Sequence, residues 1–174
     1  MFELPSALLE WDSPFNSVII DEVAVSFPGL NEFIDYLEHM RPEQDGSNLE
    51  LIKTFPVLKN LPENYKLYLI VADYNQMDFY YLPDKYTKST KMIIKAQEEA
   101  KCMCLTINHA DTLSIPQEYM NLVGDIYTNG ENTLMWCKDE YILSLWIPID
   151  LKEKYINEQD ILFLSKTETV IIER

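Results

Sequence analysis

Apolar positions along this chain recur at two spacings, and the spacing predicts the elements. In SVIIDEVAVSF (17–27) the β-branched and apolar residues predict a strand interrupted by Asp21-Glu22. Over Asn31–Met40 the period changes: Phe33, Ile34, Leu37 and Met40 fall on one stripe, which predicts an amphipathic helix. Asn31 is placed to cap that helix, and Pro42 stops it. The polar stretch Pro42–Asn48, with Pro and Gly, reads as a loop. Lys66–Ala72 and Met77–Leu82 read as two strands joined through Asp73–Gln76 in a hairpin. Thr87–Lys101 returns to the helical period, with Met92, Ile93, Ala96 and Ala100 inward.

The remaining segments are strand-like. Cys102–Asn108, Leu122–Thr128, Thr133–Cys137 and Tyr141–Ile147 alternate or run apolar, and Asn129-Gly130 marks a turn between the second and third. Asp160–Leu164 and Thr169–Glu173 read as a final strand pair. Strands outnumber helices and follow one another through short turns. The expected architecture is therefore α+β, a largely antiparallel β-sheet with two main helices packed against it. A chain of 174 residues with 47% hydrophobic residues suits a single domain over 1–174.

Charge changes the functional picture more than composition does. The net charge is −15, which disfavours direct binding to nucleic acid or to an anionic membrane surface. Residues 1–50 hold eleven acids and one base, Arg41, a net of −10, whereas residues 51–174 carry a net of only −5. Such asymmetry suits a basic protein partner. The first ten residues lack a basic n-region and a long apolar core, and no run of about 18 apolar residues exists, so neither a secretory signal nor a transmembrane helix is expected. Three cysteines do not suggest a disulfide framework, and a cytoplasmic protein is expected.

Candidate chemistry is sparse. Cys102 and Cys104 share one strand face, but Cys-x-Cys is tighter than the usual zinc spacing and Cys137 is distant in sequence. No metal or other cofactor is expected. His109-Ala110-Asp111 offers an imidazole and a carboxylate to a nucleophile such as Cys104 or Ser114, the basis of an enzyme alternative on Cys104, His109 and Asp111. The sequence contains no P-loop, dinucleotide fingerprint, H-E-x-x-H, G-x-S-x-G or EF-hand pattern. Lys88, Lys91 and Lys95 recur at helical spacing and read as the solvated face of the second helix. The expected class is a non-catalytic, acidic binding protein. Its candidate contact residues are Asp21, Glu22, Glu32, Asp35, Tyr36, Glu38, Glu43 and Asp45, with Tyr74 and Tyr80 from the tyrosine-rich middle of the chain.

Two segments, LPENYKLYLIVADYNQ (61–76) and IPQEYMNLVGDIYTNG (115–130), share [L/I]-P-x-x-Y. They resemble a pattern of the SUKH immunity superfamily, in which Leu-Pro-x-x-Tyr turns into a helix that ends near Asn-Gly. Both carry about one residue more than that spacing, and the first lacks the glycine. In general character the chain resembles bacterial immunity proteins of contact-dependent growth inhibition and related toxin systems. The resemblance implies an antitoxin function: a toxin inhibitor that occludes a cognate toxin, here one with a basic nuclease domain. An adaptor or regulator of phage or prophage origin, binding another protein, is the alternative.

Overall fold

The structure is a computed structural model and describes residues 18–19, 25–40, 48–111, 113–154 and 157–174. Nine strands form one antiparallel sheet: β1 (Val18–Ile19), β2 (Val25–Phe27), β4 (Tyr65–Ala72), β5 (Gln76–Pro83), β6 (Met103–His109), β7 (Met120–Val123), β8 (Ile126–Thr128), β9 (Thr133–Lys138) and β10 (Tyr141–Trp146). Their spatial order is β1-β2-β4-β5-β6-β10-β9-β8-β7. A separate ribbon pairs β3 (Thr54–Leu58) with β11 (Thr167–Ile171). The helices are α1 (Leu30–His39), α2 (Thr90–Glu98), α3 (Ile149–Lys154) and α4 (Glu158–Ser165). The fold is α+β with a large antiparallel sheet, as the periodicity predicts.

The two main helices lie on opposite faces of the sheet. Alternation along β4 sends Ile70 and Ala72 to one side, where they meet Phe33 and Leu37 of α1, with Phe55 of the ribbon and Leu164 of α4. Leu69 and Val71 point to the other side and meet Ile93 and Ala96 of α2, with Tyr80, Leu82, Cys102 and Cys104. A bulge between Leu67 and Leu69 shifts the register against β5. On the α1 face, Phe33 anchors an aromatic cluster, with ring centroids 4.9 Å from Phe27, 5.3 Å from Phe55 and 6.4 Å from Phe79.

Turn chemistry sets the hairpins. Asp73 Oδ1 accepts the backbone N–H groups of Asn75 (2.7 Å) and Gln76 (3.0 Å), which closes β4 onto β5. Asn129 Oδ1 accepts from the N–H groups of Glu131, Thr133 and Asn132 between β8 and β9, and Gly130 takes the φ of +82° that this turn requires. The two Pro-x-x-Tyr segments form the same turn, each Tyr N–H donating to the Pro carbonyl at 3.1 Å. Both lead into strands, β4 and β7, and not into the helices that the superfamily pattern carries.

Several elements differ from the sequence reading. Asp160–Leu164 is helical, not a strand: Asn157 caps α4 by accepting from the Asp160 N–H at 2.9 Å, and Ile161 and Leu164, one turn apart, both face the core. The real partner of β11 is β3, a strand that the periodicity did not predict. Leu122–Thr128 is divided by the turn at Gly124-Asp125 into β7 and β8. The N-cap of α1 is Gly29 with no side-chain bond, so Asn31 lies inside the helix. Most of Pro42–Asn48 lies outside the described residues.

Arg174 joins three parts of the chain. Its guanidinium donates to the carbonyls of Leu37 in α1 (2.7 Å), Ile52 (2.8 Å) and Leu49 (3.1 Å). The C-terminal end of α1 and the Leu49–Ile52 turn are thereby fixed against the ribbon.

Candidate functional site: the acidic helix and a neighbouring aromatic cavity

The outward side of α1 carries three of the four described acids of residues 1–50, the fourth being Glu50 in the Leu49–Leu51 turn. Glu32 and Asp35 are exposed and Glu38 is half-exposed, while Phe33 and Leu37 beneath them are fully buried. The helix is therefore a rigid mount for the acids. Glu32 folds back across Gly29: a Cβ at Gly29 would lie 2.7 Å from its Oε2. His39 Nδ1 contacts the Asp35 carbonyl at 2.9 Å and its carboxylate at 3.2 Å. The backbone hydrogen bond first, then the Asp35 charge, raise the His39 pKa above its ordinary value.

The other expected contact residues separate. Tyr36 is half-buried, its ring 5.0 Å from Phe27, so it serves mainly to seat the helix. Tyr80 is only 6% exposed and packs in the α2 cluster on the opposite face, which removes it from any surface shared with α1. Asp21, Glu22, Glu43 and Asp45 lie outside the described residues. Tyr74 is half-exposed and stacks on His109, with ring centroids 4.5 Å apart.

The cysteine–histidine alternative is not assembled. Cys104 and His109 both belong to β6 but are an odd number of residues apart, so they project to opposite faces. Cys104 lies in the α2 cluster, whereas His109 stacks against Tyr141 of the α1-side core. Burial, then the nearby Asp78 charge, push the Cys104 thiol well above its ordinary pKa. A protonated, enclosed thiol is a poor nucleophile. Cys137 is on the Cys104 face, but two strands across and four residues along place it roughly 16 Å away by strand geometry. Among the described residues no group of three or more His, Cys, Asp or Glu is placed to hold a metal. No helix among them is long and apolar enough to cross a membrane.

One concave site was not apparent from spacing. A cavity of about 300 Å³ is lined by Leu51, Lys53, Tyr74, His109, Glu140 and Tyr141. Five segments build it: the approach to β3, the β4–β5 turn, the end of β6, the β9–β10 turn and the start of β10. His109 and Tyr141 are direct cross-strand partners, with ring centroids 4.8 Å apart, so His109 is held between two tyrosines. The Tyr141 hydroxyl donates to the Thr54 carbonyl at 2.6 Å. Burial, then the adjacent Glu140 carboxylate, raise the Tyr141 pKa. The Ala110 N–H donates to the Glu140 carbonyl at 2.8 Å and fixes the turn that presents Glu140. Comparison with protein-family models, with curated proteins and with solved structures found no match.

Proposed function

We propose that this protein is an acidic binding domain that acts in the cytoplasm by occluding a basic protein partner, in the manner of an immunity protein against a cognate toxin. The observation that carries the reading is the charge segregation: two thirds of a net charge of −15 sits in the first 50 residues, and Glu32, Asp35 and Glu38 of that segment are mounted on a helix whose opposite side is fixed in the core. A preorganised face of one sign steers an oppositely charged partner and loses little entropy on contact. A toxin domain that holds phosphates needs a basic cleft, which such a face complements. The support is electrostatic and does not rest on the Pro-x-x-Tyr resemblance, since both segments enter strands.

The test is capture of a basic protein by the tagged chain from its own cell, followed by co-expression with that protein's toxic domain. Rescue of growth is expected. Asp35→Lys with Glu38→Lys changes the net charge from −15 to −11 and should slow association about tenfold at low salt. Capture of no basic protein, or association kinetics indifferent to both the reversal and salt, would sink the proposal.

A further inference from the structure

We infer that the Tyr74–His109–Tyr141 cavity is a receptor for a guanidinium group, the side chain of an arginine on the basic partner. The identity of the arginine's owner rests on the function proposed above; the chemistry of the cavity does not.

Size comes first. At about 300 Å³ the cavity is at the lower end of small-molecule sites, enough for one long side chain. Its walls include three aromatic rings, and its polar groups include two acceptors, the Glu140 carboxylate and the Tyr141 oxygen. The Tyr141 hydroxyl donates its hydrogen to the Thr54 carbonyl, which leaves its oxygen as an acceptor. Glu140 contributes a carboxylate with no protein cation in an ion pair among the described residues. A planar cation satisfies both features: it stacks on an aromatic face and donates N–H bonds to carboxylate and phenol. Arginine is also the charged side chain most enriched among interface hot spots. Leu51, 52% exposed at the rim, offers apolar surface to the methylene stem.

Lys53 is the opposing element. It lines the same cavity, and its positive charge repels a cation, so it weakens the site and gives the test a sign. The probe is Nα-acetyl-L-arginine amide, which carries a single guanidinium charge, titrated into the full chain while the His109 and tyrosine ring resonances are followed by NMR. A saturable shift confined to these rings is expected. Glu140→Gln, in an exposed turn, should weaken binding about tenfold, and Lys53→Ala should strengthen it severalfold. Nα-acetyl-L-glutamate amide should not compete. Absence of a saturable shift overturns the inference. So does the opposite pattern, in which the glutamate probe binds and Lys53→Ala abolishes the site, because the cavity is then an anion receptor. Failure to capture a basic partner would remove the proposed function and leave a positive probe titration standing.

Discussion

Replacing Arg174 by alanine removes one side chain that satisfies three carbonyls, those of Leu37, Ile52 and Leu49, at 2.7, 2.8 and 3.1 Å. A hydrogen bond to a charged group contributes about 1.5–3 kcal/mol, so the simple sum approaches the whole stability of an ordinary domain. That sum is too large, because Arg174 is itself exposed and water reaches part of the vacated space. Leu37 and Ile52 are fully buried residues, however, whereas the Leu49 carbonyl keeps the Ile52 N–H at 3.1 Å, so the loss concentrates at the first two carbonyls. A net loss of about 2–3 kcal/mol is therefore expected. Urea unfolding followed by tryptophan fluorescence measures it, and the midpoint should fall by about 1–1.5 M with the slope unchanged. Arg174→Lys keeps the charge, but a single ammonium cannot span three carbonyls, so it should recover less than half of the loss. A midpoint within experimental error of the wild type for the alanine variant, or full recovery by lysine, would refute the reasoning.

Two further outcomes follow from burial and charge. A thiol reagent such as Ellman's should titrate Cys137 alone in the folded protein, with Cys102 and Cys104 reacting only on unfolding, because Cys137 is exposed while burial encloses the other two and raises their pKa values. The His39 ring should titrate above 6.5 by NMR, and its raised folded pKa means that its stabilising contribution is full below about 6.5 and is lost as pH rises through the folded value. Asp35→Asn should lower that midpoint only in part, since the backbone carbonyl of residue 35 remains the acceptor.

Elements whose period and turn chemistry agreed were legible in the sequence. The β4–β5 hairpin has both alternating strands and an Asp at the one position whose side chain closes the turn. The α1 stripe was legible for the same reason, because Phe33 and Leu37 lie one turn apart and both reach the core. Ambiguity arose where an apolar run had no period of its own. Ile161–Leu164 fits a short strand as well as a helix, and the deciding signal was Asn157, three residues before Asp160, a cap that an apolar run alone does not reveal. Pro56 hid β3, since proline argues against a central strand; it is tolerated because β3 has only β11 as a partner in the two-stranded ribbon. The cavity was beyond reach for a different reason. Tyr74, His109 and Tyr141 come from one turn and two strand ends, and only the β6–β10 register that sets Tyr141 opposite His109 brings the strand ends together. Alternation on β6 did contain the evidence against a Cys104–His109 pair, because five residues of strand reverse the face.

Because α1 and α2 occupy opposite faces of the sheet, the exposed Glu32 and Asp35 of α1 and the exposed Lys91 and Lys95 of α2 lie on opposite sides of it. The described part of the molecule thus carries its charge unevenly across the sheet, in addition to its net charge. In the field of an approaching cationic surface such an object experiences a torque as well as an attraction. That torque favours an approach by the α1 side over one by the lysine side. For the basic partner proposed above, that orientation precedes any side-chain contact.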